Sequence, residues 1–233
     1  MGGPKALPLA TQANPSEHGL DQAEILENGY VEPRRGADGK IEALEILVCP
    51  GLDSFATLAD GAGIRAMHSL DSEMLVVTGR TVRRVDAGGT ETIVGGLPSD
   101  GFVSTAQNRR APNNEIALVC DGLAVIYQNG VLTQITDSDL VPPNSICFHG
   151  GYFVASSADG RLLASEINDG TSWDALDFDY AQKSSDGLYR VVSRGPDIAA
   201  LGPKSIEFWT QYAPDVGFPF QFSTSMPSTN RFG

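Results

Sequence analysis

Acidic side chains form the clearest groups of possible catalytic or metal-binding residues in this chain. Asp137 lies two residues before Asp139, and Asp174, Asp177 and Asp179 lie close together further along. Paired carboxylates at a suitable separation can hydrolyse glycosidic bonds, and clustered ones can bind Ca²⁺. Neither group has the glycine and distal glutamate of an EF-hand loop. Aspartates of this kind commonly cap turns by accepting hydrogen bonds from nearby amides, and we favour that interpretation.

The other residue types that carry chemistry are scattered. His18, His68 and His149 lie far apart, without the short-range partners of a metal site. The chain has no Gly-x-Ser-x-Gly elbow and no glycine-rich phosphate loop with a lysine. We therefore predict no catalytic residue, no metal site and no cofactor. Among the three cysteines, Cys120 and Cys147 lie in apolar runs and are predicted to be buried, unpaired thiols, whereas Cys49 precedes a turn.

The charge balance argues against binding to nucleic acid. The 233 residues include 29 acids and 16 bases, which gives a net charge of −13. Tight DNA binding needs several basic side chains aligned on phosphates, and the pairs Arg34-Arg35, Arg83-Arg84 and Arg109-Arg110 form no such stripe. We interpret these pairs as solvated edges or ion-pair partners. The acidity also disfavours anionic membranes, and no apolar run approaches the length of a membrane span.

The most informative local pattern is a predicted β-hairpin with an aromatic residue folded back over it. Asn168, Asp169 and Gly170 are typical of a tight turn, and Gly170 is expected to adopt the positive φ that such a turn requires. Trp173 follows three residues after the glycine and is expected to fill a pocket. Asp174 and Phe178 complete this structural motif. Such a hairpin is typical of a β-propeller blade.

A repeat of about 40 residues extends the same interpretation to the rest of the chain. Units begin near Ile64, Val103, Ser145 and Leu188, and each contains short apolar strands separated by glycine-rich turns. This spacing matches one four-stranded propeller blade. We therefore predict an all-β, propeller-like array of about four to five blades, and favour it over a β-sandwich. Strands around residues 41–48 could close the array, or a neighbouring subunit could cover its edge.

Composition divides the chain into three predicted parts. Residues 1–24 are rich in Pro, Ala, Gln, Asn and Ser without periodicity, and we interpret them as an extended N-terminal arm. Residues 25–222 form the predicted propeller-like domain. Residues 223–233 are polar and are predicted to be a C-terminal tail.

The segment Asn168-x-Gly170-x-Ser172-Trp173 resembles the Asp-box of sialidase-type propellers, with Asn at the Asp position. An Asp-box stabilises a blade turn and does not report catalysis. A sialidase would also need clustered arginines, which do not accompany Tyr189-Arg190 and Glu207. We therefore interpret the segment as a folding device.

Several motifs in order give the chain a wider resemblance. It resembles the packaged-DNA stabilisation proteins of tailed bacteriophages, also called head-completion or tail accessory proteins. The resemblance runs from about Leu7 to Gln221 and covers about the first half of many relatives, so it does not extend to the domains that follow in them. The motifs that carry it are Leu26-Glu27-Asn28-Gly29-Tyr30, Pro50-Gly51-Leu52, Gly63 to Met67, Asp121-Gly122, Tyr152-Phe153-Val154, Asn168 to Phe178, Ile206-Glu207-Phe208-Trp209 and Gly217-Phe218-Pro219-Phe220-Gln221.

The resemblance implies a non-enzymatic virion protein, made in the host cytoplasm and placed at the head–tail junction or tail ring. Members of the family look like propellers arranged in a ring, with six-fold symmetry suspected. The ring lies below the portal and its adaptor, retains the packaged DNA and carries tail parts around it. The implied partners are copies of the chain, the portal adaptor and other tail proteins. The alternative is a propeller that binds a receptor or glycan at a cell surface, and a third possibility is a glycan hydrolase.

The most aromatic stretch of the chain is a candidate interface. Aromatic side chains are enriched at the energetic centres of protein interfaces, although core packing is the more ordinary role for them. Neighbouring residues on a strand point to opposite faces, so one member of an adjacent aromatic pair enters the core and the other faces outward. The candidate residues are Phe208, Trp209, Tyr212, Phe218 and Phe220.

Overall fold

A computed structural model describes residues 29–48, 53–70, 72–181, 187–212 and 217–224. These residues form eighteen β-strands, and none of them belongs to a helix with the length and apolarity needed to cross a membrane. The chain divides into two compact units, Met1–Ser54 and Phe55–Gly233. The predicted arm, residues 225–233 of the predicted tail and Cys49 lie outside the described residues. The predicted domain limits therefore stay a prediction.

The first unit contains one antiparallel hairpin, formed by β1 (Gly29–Arg35) and β2 (Ile41–Val48). The turn between them is closed by the N–H of Gly36, which donates to the carbonyl of Lys40 at 2.9 Å. Gly39 adopts a φ of +78°, which a residue without a side chain tolerates. β1 and β2 form a two-stranded sheet of their own.

The second unit contains four antiparallel sheets of four strands each, in which consecutive strands pair. The first sheet comprises β3 (Ile64–Ser69), β4 (Glu73–Thr78), β5 (Thr81–Asp86) and β6 (Glu91–Gly96). The second comprises β7 (Ser104–Gln107), β8 (Ile116–Cys120), β9 (Leu123–Gln128) and β10 (Val131–Gln134). The third comprises β11 (Pro143–His149), β12 (Tyr152–Ser157), β13 (Arg161–Glu166) and β14 (Asp169–Tyr180). The fourth comprises β15 (Arg190–Arg194), β16 (Asp197–Leu201), β17 (Ile206–Gln211) and β18 (Phe220–Phe222).

This arrangement confirms the predicted all-β, propeller-like fold. The sheets begin at Ile64, Ser104, Pro143 and Arg190, each within two residues of a predicted unit start. The first strands of consecutive sheets lie beside one another, β3 next to β7, β7 next to β11, and β11 next to β15. Among the described residues, the first and fourth sheets do not lie beside one another in this way. The array of four sheets is therefore open.

The middle sheets are buried on both faces because their strands are apolar at consecutive positions. In β8, Ile116 and Leu118 enter the core between the first and second sheets, whereas Ala117 and Val119 enter the core between the second and third. Side chains alternate across a strand, so a continuous apolar run is what a sheet covered on both sides requires. A third core cluster fills the space between the third and fourth sheets.

Two cysteines lie in these cores, as predicted. Cys120 is 1% exposed and Cys147 is 8% exposed, and both are free thiols. Burial raises the pKa of the Cys147 thiol to about 12, because the thiolate would lose its hydration in the apolar core. Cys147 therefore acts as a small apolar side chain, whereas the Cys120 sulfur also accepts a hydrogen bond from Arg65 at 3.3 Å.

Candidate functional site

The predicted hairpin joins β13 to β14 in the third sheet. Asn168 lies in the turn and adopts the left-handed conformation with a φ of +54°, and its N–H donates to the carbonyl of Gly151 at 2.7 Å. The expectation that Gly170 takes the positive φ is wrong, because the turn falls two residues earlier, at Asn168. Asparagine tolerates this conformation better than most residues.

Gly170 is required by close packing. The register moves from the Glu166–Asp169 pair to the Ser165–Trp173 pair, so residues 170–172 form a bulge on β14. A Cβ added to Gly170 would lie 2.7 Å from Cδ1 of Ile126 and 2.9 Å from the ring of Phe153. The bulge therefore brings bare backbone against the second sheet.

Trp173 is folded back over the hairpin, as predicted. It is 4% exposed and belongs to the core between the second and third sheets. Its indole Nε1 donates to the carbonyl of Gly170 at 2.9 Å. Its backbone N–H donates to Oδ2 of Asp137 at 3.0 Å. The ring and its hydrogen bonds thus hold the bulge in place.

A buried carboxylate joins the hairpin to the second sheet. Glu115 lies immediately before β8 and is 2% exposed. Its Oε2 accepts hydrogen bonds at 2.8 Å from the backbone N–H of Gly170 and from Nδ2 of Asn108. Its Oε1 pairs with Nη1 of Arg110 at 2.7 Å. Burial of an unpaired charge is costly, so these partners are what allow the carboxylate to lie between two sheets.

The ion pair continues to the hairpin itself. The same Nη1 of Arg110 lies 3.3 Å from Oδ2 of Asp169. Hydrogen bonding and charge from Glu115, followed by the charge of Asp169, raise the pKa of the Arg110 guanidinium. Burial alone would raise the pKa of Asp169, but hydrogen bonds from Thr171 and the charge of Arg110 outweigh it, and the net shift is downward. We call Glu115, Asn108, Arg110, Asp169 and Gly170 the blade lock.

Several of the grouped aspartates accept hydrogen bonds from nearby backbone N–H groups. Asp137 accepts from the N–H of Asp139 at 3.0 Å and from Trp173, and Asp174 accepts from the N–H of Leu176 at 2.8 Å. Burial, followed by the charges of Asp174 and Glu166, raises the pKa of Asp177. Among the described residues, no three His, Cys, Asp or Glu side chains are grouped so as to hold a metal ion. Phe178 is half-buried, and its ring lies 5.6 Å from that of Tyr180.

The structure separates the five candidate interface aromatics into two groups. Trp209, Phe218 and Phe220 are 3%, 8% and 2% exposed and lie in the core between the third and fourth sheets. Phe208 projects from the opposite face of β17 and is half-buried, with the Arg194 guanidinium 5.4 Å from its ring centre. Tyr212 is 49% exposed. An interface role therefore stays a prediction. Of the five residues, only Phe208 and Tyr212 are accessible enough to contact another protein.

The face of the fourth sheet that carries Phe208 has an apolar row. Val192 pairs with Ala199, and Ala199 pairs with Phe208, so the three side chains lie side by side. No core cluster of the described residues forms on this face, and Val192 is 41% exposed. We call Val192, Ala199 and Phe208 the open face.

The opposite end of the array, on the first sheet, is covered by the preceding segment, residues 55–60. Asp60 accepts hydrogen bonds from Thr78 and from Arg83, each at 2.8 Å. Arg83 is 3% exposed and also pairs with Glu91 at 2.8 Å. Burial would raise the pKa of Asp60, but the hydrogen bonds from Thr78, the Ala62 amide and Arg83 lower it overall.

The apolar margins of this face remain exposed. Met67 and Ile93 lie in register with Val76 and Arg83 and are 54% and 64% exposed. We call Met67, Ile93 and the segment 55–60 the capped face.

Comparison with known proteins identifies the family of the chain. A family model described as bacteriophage P22 Gp10, beta-propeller, matches residues 38–228. The chain belongs to this phage stabilisation family. Membership confirms the resemblance inferred from the motifs and places the chain among the phage head-completion or stabilisation proteins, a structural family with a β-propeller.

Solved structures that match the chain share little sequence with it. The computationally designed Ika4 protein is 12% identical, with a TM-score of 0.50, and the match covers 69% of this chain and 99% of Ika4. The computationally designed Ika8 protein is also 12% identical, with a TM-score of 0.47 and coverage of 77% of this chain and 54% of Ika8. At this identity, the match to Ika4 shows a similar fold and nothing more. A search of curated protein sequences finds no match to this family member.

Sequence reasoning identified Trp173 but missed the residue that anchors its hairpin. Glu115 stands alone before an apolar strand, and the contact that reveals its role spans 55 residues. The only local signal is a buried-strand pattern that begins directly after a charged residue, with Arg110 five positions earlier. An acid so placed needs a partner if the strand is covered on both faces.

Proposed function

We propose that the chain is a virion structural protein that assembles with copies of itself into a ring at the head–tail junction or tail. The ring closes the filled head, retains the packaged DNA and provides attachment for tail parts. Family membership over residues 38–228 is the observation that carries this proposal. The portal adaptor and other tail proteins are its proposed neighbours.

The two ends of the open array support assembly into a ring. A closed ring of identical copies needs two different, complementary patches on each subunit. The open face presents Val192 and Phe208 together with the guanidinium of Arg194. The capped face presents exposed Met67 and Ile93 beside the carboxylates of the cap. Apolar side chains are exposed at both ends, so each face offers a different patch that another copy could cover.

Several arginine side chains of the array are ion-paired with acids of the same chain. Arg83 pairs with Asp60 and Glu91, Arg84 pairs with Glu73 at 3.2 Å, and Arg110 pairs with Glu115. Ion-paired arginines release fewer counterions on meeting phosphate and so contribute little to DNA affinity. With a net charge of −13, we propose that the ring retains DNA as a barrier and does not grip it.

Deletion of the gene from its phage tests the proposal. We expect heads that package DNA and then lose it, with the chain detected in purified wild-type virions. Supplying the wild-type chain from a plasmid restores filled particles, whereas Phe208→Glu does not. Val131→Glu serves as the matched control, because Val131 is 59% exposed on a different sheet. Stable filled heads without the protein would contradict a role in retention.

A further inference from the structure

A polar cleft lies between the first and second sheets, beside the segment 108–115 that carries Asn108, Arg110 and Glu115 of the blade lock. It is about 610 Å³ in volume, within the range of roughly 300–1,000 Å³ that small-molecule sites occupy. Leu70 and Ser72, the loop before Glu115 and the β9–β10 turn form its rim. Its lining includes Tyr127, Gln107, Asn113, Asn114, Glu73 and Arg84.

Tyr127 presents an unfilled hydrogen-bonding group to this cleft. Its side chain is 5% exposed, and its ring packs in the core between the first and second sheets. Its hydroxyl has no hydrogen-bond partner among the described residues. The hydroxyl is not one of the buried polar atoms that lack a partner, so it is accessible from the cleft. The hydroxyl is therefore placed to bind a donor or acceptor that enters the cleft.

The surrounding side chains add amide groups that are free to bind. Gln107 uses Oε1 for a 2.8 Å contact with Nε2 of His68, which leaves its NH₂ group unused. Asn113 and Asn114 are exposed at the rim. The carbonyl of Asn113 accepts a 3.1 Å hydrogen bond from the Gln128 side chain, which holds this loop in position. Each primary amide offers donors and an acceptor in one plane, which suits a ligand whose groups both donate and accept.

Among the described lining residues, the two charged side chains have opposite signs and pair with each other. Glu73 and Arg84 form an ion pair at 3.2 Å across its wall and are 26% and 37% exposed. The pair uses one carboxylate oxygen and the guanidinium Nε, so the other oxygen and the terminal NH groups can still bind. A balanced lining does not favour a phosphate or another strong anion. The lining also has little apolar surface, which does not favour an apolar cofactor.

We propose that this cleft binds a neutral saccharide. Sugar hydroxyls are both donors and acceptors, and they match the amides, the paired charges and the unpartnered Tyr127 hydroxyl. A peptide would instead use a strand edge, an apolar groove or an arginine cluster, and the cleft offers none of these. The cell-surface polysaccharide of a host and a free sugar share this chemistry. The site is independent of the ring, since neither the open face nor the capped face contributes to it.

Binding of defined sugars by the purified full-length chain tests the proposal. The probes are neutral monosaccharides and neutral oligosaccharides of glucose, galactose, mannose and N-acetylglucosamine, with uronic-acid oligosaccharides and neutral peptides of similar size alongside. Saturation-transfer NMR detects contact, and calorimetry measures the Kd. We expect a neutral saccharide to bind; preference for oligosaccharides indicates a polysaccharide source, and equal binding of monosaccharides indicates a free sugar.

Two variants locate the binding. Tyr127→Phe removes only the hydroxyl, and Asn114→Ala shortens an exposed rim residue, so both should fold with an unchanged Tm. Each should weaken the Kd by about tenfold, the loss expected for one hydrogen bond. Gln134→Ala, an exposed change outside the lining, should leave the Kd unchanged. Absence of neutral-sugar binding, binding of only peptides or uronic acids, or a Kd indifferent to both variants would overturn the proposal.

Discussion

Gly170 donates its backbone N–H to the carboxylate of Glu115, at 2.8 Å and across 55 residues of chain. The two residues belong to different sheets, so this bond joins neighbouring blades. It also explains two features that would otherwise be unrelated: a glycine within a strand, and a glutamate that is 2% exposed. The blade lock is thus a polar connection set within an apolar interface.

Substitution of Glu115 by Gln should destabilise the protein strongly. The amide keeps the shape of the side chain but loses the charge that pairs with Arg110. In addition, its NH₂ group faces one of the donors that the carboxylate accepts from, so that hydrogen bond is lost. Hydrogen bonds to a charged group contribute roughly 1.5–3 kcal/mol, and we expect a loss of about that size in the free energy of unfolding. Urea denaturation measures it.

The matched control for this change is Asp159→Asn. Asp159 also pairs with an arginine, Arg161 at 2.7 Å, but its side chain is 47% exposed. Exposed ion pairs contribute about 0–1 kcal/mol, so the control should change little. Equal losses in the two variants would show that burial of Glu115 has no energetic importance.

Addition of a methyl group at Gly170 should strain the same interface. Gly170→Ala places a Cβ 2.7 Å from Ile126, and overpacking of this kind costs roughly 1–3 kcal/mol. Gly63→Ala is the control, since no atom lies within 4 Å of the added Cβ there. Thermal melts followed by circular dichroism should show a lower Tm for the first variant only. Identical melts would mean that the second and third sheets accommodate the methyl group.

Truncation of Trp173 should unfold the third sheet or prevent assembly. The ring is 4% exposed, and loss of such a side chain costs roughly 3–5 kcal/mol. Tyr189→Ala, a change at an aromatic residue that is 65% exposed, should have an effect within about 0.5 kcal/mol. Urea denaturation of the two variants side by side gives the comparison. A Trp173→Ala protein as stable as the control would refute the role of the ring in the hairpin.

Two aspartates of β14 should affect the pH dependence of stability with opposite signs. The pKa of Asp169 is lowered in the folded state, so its carboxylate stabilises the fold above its ordinary value of 3.8, and this is lost as the pH falls through the folded pKa. The pKa of Asp177 is raised from 3.8, so its carboxylate destabilises the fold once the pH exceeds that value.

Substitution by asparagine separates the two effects. At pH 7, Asp169→Asn should lower the Tm and Asp177→Asn should raise it. Both differences should shrink in acid, where both carboxyls are protonated in the folded and unfolded chain. Tm measurements between pH 7 and the acid limit of folding check this. Changes of the same sign at pH 7 would contradict the assigned environments.

Much of the fold could be predicted from the sequence because its signals are local. Turn residues and short apolar strands repeat about every 40 residues, and the observed sheet starts follow them. Trp173 was identifiable because its turn lies only a few residues away. The role of Gly170 was misassigned because the constraint on it comes from Ile126 and Phe153, which the local pattern does not include.

The division of the aromatic stretch depends on packing between distant strands. Phe208 and Trp209 were expected to face opposite ways, which the structure shows. Which of them enters the core was not predictable, because that depends on the face of the fourth sheet that meets the third. Phe218 and Phe220 join Trp209 there, with ring centres of Trp209 and Phe218 6.0 Å apart.

The mass of the purified chain in solution tests most directly the claim that the open and capped faces join identical copies. We expect a single closed assembly of several copies, seen by native mass spectrometry and by light scattering. Phe208→Glu on one face and Ile93→Glu on the other should each give folded monomers, while Val131→Glu should assemble normally. A wild-type chain that stays monomeric at all concentrations, alone and with the proposed portal adaptor, would contradict the account.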